Sequence, residues 1–187
     1  MQIWQKQILD NYFQVADSAF RAGYDAVAEQ MYAAVLAEPA CDKGGMVAAL
    51  YGLAALLMRN GRRAQAGKNL RRALKLILES GDSDGDNLEG LIPVACLLAD
   101  NYLSLGQSGR ALPLLKMALA RVRSSGICGG KGAAHLPLLR RIALIYNSSN
   151  SPRRSRFVND CLAALAVANH GPEVLTKAPV TITSFSL

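Results

Sequence analysis

Between Leu50 and Ala73 the apolar residues recur twice at the spacing of an amphipathic helix, on either side of the tight turn Arg59-Asn60-Gly61-Arg62. Leu50, Leu53, Ala54 and Leu57 precede the turn, and Ala66, Leu70, Ala73 and Leu74 follow it. A helical hairpin of this size cannot bury its own apolar face and must stack on a neighbour. The same arrangement occurs once before this stretch and twice after it, so the neighbours are further copies of the same unit. Hydrophobic residues make up 51% of the chain but aromatics only 6%, with Ala and Leu dominant, a balance that favours close-packed helices over a sheet.

The pattern predicts eight helices in four pairs. The first runs from about Ile3 to Ala22 with Ile8, Tyr12, Val15, Ala16, Ala19 and Phe20 on its apolar side, and Gly23 ends it. The second, about Tyr24 to Glu38, carries Ala28, Met31, Tyr32, Val35 and Leu36, and Pro39 with Cys41-Asp42-Lys43-Gly44-Gly45 breaks it. Two more span about Met46–Asn60 and Arg62–Ser80, followed by an acidic loop over Gly81–Glu89. The third pair covers about Leu88–Leu105 and Arg110–Arg123 around the turn Gly106-Gln107-Ser108-Gly109, with Pro93 and Pro113 each expected in a first turn. After a glycine-rich loop, Ser124–Gly132, the fourth pair spans about Ala133–Tyr146 and Arg153–Asn169, the latter burying Phe157, Cys161, Ala164 and Leu165. Residues 1–170 are expected to form one repeat domain, and 171–187 a tail that is extended or disordered.

These residues resemble the tetratricopeptide repeat family, whose unit has a large residue, Leu three later, a small residue next and an aromatic three beyond, then a turn glycine, Ala, and an aromatic four later. The second repeat gives Leu50, Leu53, Ala54, Leu57, Gly61, Ala66 and Leu70. The third gives Ala95, Leu98, Ala99, Tyr102, Gly106, Ala111 and Leu115, and the first Tyr12, Val15, Ala16, Ala19, Gly23, Ala28 and Tyr32. The fourth gives Leu139, Ile142, Ala143 and Tyr146, with Phe157 and Cys161 in register after about two extra turn residues. The anchors Ala28, Ala66, Ala111 and Phe157 stand 38, 45 and 46 residues apart, against about 34 in the ordinary repeat. Longer repeats of this kind are similar to those of the kinesin light chain group and its bacterial relatives. The resemblance implies an all-α, right-handed solenoid of about four helix-turn-helix repeats.

It also implies a binding function. Stacked hairpins leave a concave face lined by the first helix of each pair, and the resemblance together with helical phase nominates its residues. They are Asp10, Phe13, Asp17 and Phe20 in the first repeat, and Ala48, Tyr51, Ala55 and Met58 in the second. Cys96, Asp100 and Leu103 follow in the third, and Arg140, Leu144 and Asn147 in the fourth. Such a groove, acidic and aromatic at one end and more basic at the other, suits an extended or helical peptide of a protein partner. Phe13, Phe20 and Met58 could equally pack against neighbouring helices.

Other chemistries find little support. The net charge of +7 is uneven: residues 1–60 hold six acids and four bases, residues 61–187 eight acids and seventeen bases. A basic stripe, Lys68, Arg71, Arg72 and Lys75, raises the alternative of RNA or an acidic partner bound on the outer face, but no aromatic accompanies it for base stacking. Asp82, Asp84, Asp86 and Glu89 lack the glycine and glutamate of a calcium loop, with Asn87 and Pro93 at those places. Lys131 among its glycines has no following Ser or Thr to make a phosphate loop. Cys41, Cys96, Cys128 and Cys161 form no C-x-x-C pair, and neither His135 nor His170 has ligands or an acid nearby, so no metal, cofactor or catalytic residue is expected. No apolar window of about twenty residues and no leader-like N-terminus is present, which makes the cytoplasm the expected location. Association with a second copy, through an end repeat or the tail, stays open.

Overall fold

The computed structural model of the chain describes residues 3–79, 90–124, 136–149 and 152–170. The described residues form eight α-helices and no strand: α1 (Ile3–Ala22), α2 (Asp25–Ala37), α3 (Lys43–Arg59), α4 (Arg63–Glu79), α5 (Leu91–Ser104), α6 (Ser108–Ser124), α7 (Leu136–Ser148) and α8 (Pro152–His170). The tail from 171 onward and the loops 80–89 and 125–135 lie outside them. Residues 1–127 and 128–187 form two compact units, so α1–α6 belong to one and α7–α8 to the other.

One turn is used three times in the first unit. Gly23, Gly61 and Gly106 have φ of 81°, 72° and 71°, the left-handed region that glycine enters without a Cβ clash. The amide one residue past each glycine donates back five residues: Tyr24 N–H to Ala19 at 2.8 Å, Arg62 N–H to Leu57 at 2.8 Å and Gln107 N–H to Tyr102 at 2.8 Å. This closes the first helix and turns the chain directly into the second. Each second helix then packs on its own partner and on the next first helix: α2 on α1 and α3, α4 on α3 and α5, and α6 on α5. α3 also touches α1 and α5, so the first helices adjoin along one side of the stack and the second helices take the other.

Burial follows the repeat pattern closely. Leu50, Ala54 and Leu57 of α3, Ala66, Leu70 and Ala73 of α4, and Ala111, Leu115 and Ala118 of α6 are all buried. In the second unit Leu139, Ile142, Ala143 and Tyr146 of α7 are buried as expected. The departures have local causes. Ile8 and Val15 are exposed while Leu9 is buried, since among the described helices α1 packs mainly on α2 and, to a lesser extent, α3. Phe157, expected in the core as the fourth anchor, is 69% exposed, and its neighbour Val158 is buried instead. The phase of α8 is therefore one residue off the predicted register; Cys161, Ala164 and Leu165 lie outside the described side chains.

Helix limits shift for reasons of capping. α3 begins at Lys43 rather than Met46, since Asp42 caps it by accepting from the Gly45 amide at 2.7 Å; Gly44 and Gly45 are thus first-turn residues, not breakers. α6 begins at Ser108, which places Gly109 inside the helix and Pro113 in its second turn. Pro113 lacks the N–H that would reach the Gly109 carbonyl, a loss that exposed Gly109 can make good with water.

Two helical glycines mark where neighbouring hairpins come closest. A Cβ on Gly52 of α3 would lie 2.5 Å from the Tyr32 ring of α2, and a Cβ on Gly67 of α4 would lie 2.7 Å from the Asn101 amide nitrogen of α5. Tyr32 is 2% exposed and pinned at its hydroxyl, so it has no room to yield. Gly52→Ala is therefore expected to destabilise the fold by about 1–3 kcal/mol despite the better helix propensity of alanine. Gly109→Ala, with nothing within 4 Å of its Cβ, is expected to be neutral or to gain up to about 1 kcal/mol. Paired thermal denaturation curves check both.

Candidate binding face

The first helices carry the nominated residues, and the structure sorts them by exposure. On α1, Asp10 and Asp17 are exposed, whereas Phe13 and Phe20 are half-buried and packed against the core of the first hairpin. On α3, Ala48 is exposed and Tyr51, Ala55 and Met58 are half-buried. On α5, Asp100 and Leu103 are half-buried, but Cys96 is only 5% exposed and belongs to the core. α3 touches both α1 and α5, so the helices that carry these positions adjoin in the first unit. Arg140, Leu144 and Asn147 are all exposed on α7, in the second unit, where the Asn147 side chain accepts a hydrogen bond from the Ser155 hydroxyl.

The electrostatics of this side are simple. From Gly44 to Met58 α3 has no charged residue, and α5 has only Asp100. At the rim, Arg59 stacks 4.1 Å above the Phe20 ring, donates to the Phe20 carbonyl at 2.7 Å and pairs with Asp25. Arg62 donates to both carboxylate oxygens of Glu29, at 2.9 and 2.7 Å. Both arginines therefore fasten the second hairpin to α2 of the first. Arg63 reaches forward to the Ser104 carbonyl at 3.4 Å.

Sequence reasoning assigned Asp17 to the groove and missed its second task. The Tyr32 hydroxyl comes from α2, passes Gly52 and donates to Asp17 Oδ1 at 2.6 Å. Burial first, then the hydrogen bond to Asp17 and its charge, push the Tyr32 hydroxyl well above the usual phenol range, with Arg21 acting in the opposite sense. A glycine mid-helix opposite a tyrosine one hairpin earlier was the available signal. Asn101 was missed too: it is 1% exposed, and its Oδ1 has no hydrogen-bond partner among the described residues. Among those residues no group of His, Cys, Asp and Glu could hold a metal ion, and no helix is long and apolar enough to cross a membrane.

Residues 45–124, from the first turn of α3 to the end of α6, match the tetratricopeptide repeat family model. Hairpins two and three are thus similar to tetratricopeptide repeats. Solved structures extend the likeness of the fold beyond them. A Podosopora anserina protein described as a kinesin light chain with nearly identical TPR-like repeats superposes with a TM-score of 0.65 at 17% identity, covering 85% of this chain and 75% of that one. BtubC (BKLC) from P. vanneervenii superposes with a TM-score of 0.66 at 17% identity, over 91% of this chain and 77% of that one. No curated protein matches the chain in sequence. Tetratricopeptide repeats generally mediate protein–protein contact.

A group whose folded pKa is raised stabilises the fold fully below its unfolded value, and that contribution is lost as pH climbs through the folded value. For Tyr32 the loss starts above about pH 10. Wild type is thus expected to lose stability steeply in alkali, and Tyr32→Phe to show a flatter alkaline limb from a slightly lower plateau, by about 1 kcal/mol. Chemical denaturation across the alkaline range, with phenolate absorbance followed in parallel, measures both.

Proposed function

We propose that the chain is a non-catalytic, cytoplasmic adapter that binds an extended or helical segment of a protein partner along α1, α3 and α5. The observation that carries this reading is the chemistry of the middle of that side. Tyr51, Ala55, Met58 and Leu103 are half-buried apolar side chains on helices almost without charge, next to Asp100. A segment that buries apolar side chains there gains about 25 cal/mol for each Å² removed from water. Asp10, Asp17 and Asp100 favour a base on that segment. Phe13 and Phe20 are floor rather than wall, since their rings already lie against the core, and Cys96 contributes only backing. Arg140, Leu144 and Asn147 are the corresponding nominated positions of the fourth hairpin, and in the second unit by itself they are proposed as partner-binding residues.

The non-catalytic part is supported by the lack of a poised cysteine nucleophile among the described residues. The Cys41 thiol is buried and pushed up, by burial first and then by Asp42 and Glu38, the reverse of an activated cysteine. Cys41 is a buried free thiol, which suits a reducing compartment.

Selection from a random-peptide library on the immobilised chain tests the site. Selected peptides are expected to be apolar with at least one base, and to lose about tenfold or more in affinity with Tyr51→Ala/Asp100→Ala. They should bind Arg72→Glu/Arg123→Glu as tightly as wild type. Peptides that tolerate the first variant and are lost with the second would place binding elsewhere.

A further inference from the structure

The second helices of hairpins two and three form a surface of a different kind. α4 carries five bases and one acid, and α6 four bases and no acid. α4 packs on α3 and α5, and α6 on α5, so both belong to the row of second helices, on the other side of the stack from the row formed by α1, α3 and α5. Lys68, Arg71, Arg72 and Lys75 are exposed at the spacing of a single helical stripe, and Lys116 and Arg123 are exposed on α6. The only carboxylate on either helix is Glu79, 3.6 Å from Lys75. The acids of α2 are already engaged, Asp25 by Arg59 and Glu29 by Arg62.

Stability does not explain this stripe. Lys68 with Arg71 and Arg72, and Lys75 with Arg71 and Arg72, stand three or four residues apart, where like charges disfavour a helix. Arg121 and Arg123 lie in the last turn of α6 and complement its dipole, but α4 has no base in its last turn. The α4 stripe is thus a self-repelling arrangement with no compensation within its own helix beyond one exposed pair.

We infer that the exposed side of α4 and α6 is a second docking surface, whose occupant is a carboxylate-rich segment of another protein. Charge complementarity selects an anion, and arginine, prominent here, pairs carboxylates in bidentate geometry. Neither helix contains an aromatic residue, so the face offers no platform for stacking bases, and a carboxylate segment needs none. Each helix is about 25 Å long, enough for about eight residues of extended peptide. The apolar face and the basic face lie on opposite sides of the same stack, so one molecule could hold two partners.

The test uses the full chain and a fluorescein-labelled alternating Glu-Ala peptide of about sixteen residues, read by fluorescence anisotropy. Wild type is expected to bind it, and to bind more weakly as salt rises from about 50 to 300 mM. Arg72→Glu/Arg123→Glu should weaken binding about tenfold or more. Lys6→Glu/Lys43→Glu, which changes the net charge by the same amount away from the face, should leave it close to wild type. Lys68→Gln/Arg72→Gln separates docking from folding: by relieving repulsion within α4 it should melt no lower than wild type while binding less peptide. No binding by wild type, or equal weakening by the two charge-reversal variants, would overturn the inference. Tighter binding of an oligouridylate of matched charge, with the same sensitivity to Arg72→Glu/Arg123→Glu, would replace the acidic protein with a nucleic acid.

Discussion

The contact on which the first unit depends is the passage of Tyr32 past Gly52. A tyrosine of α2 can reach the side of the stack formed by the first helices only where α3 has no Cβ in the way. There its hydroxyl meets Asp17, so one side chain joins α1, α2 and α3. The ring fills the seam between hairpins one and two, and the buried polar end is satisfied, as a buried hydroxyl must be. Gly67 and Asn101 make the corresponding close approach between hairpins two and three. Arg59 and Arg62 fasten the rim of the first seam from outside, each through an acid of α2. Exposed ion pairs of that kind add little alone, so the close packing of the seam carries most of the effect.

Function follows from which side these seams leave open. Once α2, α4 and α6 have spent their apolar faces on the first helices, α3 and α5 present what is left: a nearly uncharged strip with half-buried Tyr51, Met58 and Leu103. Most of the unit's basic charge sits on α4 and α6. Segregation of this sort leaves the first unit with two surfaces of different character, one nearly uncharged and one basic.

Most of the architecture was legible because it is written in small residues at fixed offsets. Gly23, Gly61 and Gly106 each mark a turn that needs a positive φ, and Ala54, Ala99, Ala66 and Ala111 each mark a helix–helix contact too tight for anything larger. What stayed hidden depends on three-dimensional neighbours. Asp17 reads as a groove residue until Tyr32 is placed beside it, and Gly52 as a weak point in a helix until the ring is seen against it. Phe157 failed because an apolar residue one step from the core stripe changes side with a small rotation of its helix. Asp42 as an N-cap was readable in principle, but the two glycines after it signalled a break more loudly.

Native-state hydrogen exchange tests most directly whether the first three hairpins act as one body. With the seams at Tyr32–Gly52 and Asn101–Gly67 closed, the slowest amides of α1–α2, α3–α4 and α5–α6 should open with a common free energy and respond together to added denaturant. A first hairpin that exchanges at much lower free energy than the other two, with its own denaturant dependence, would contradict the account. It would mean that Tyr32 sits in the seam without holding it shut.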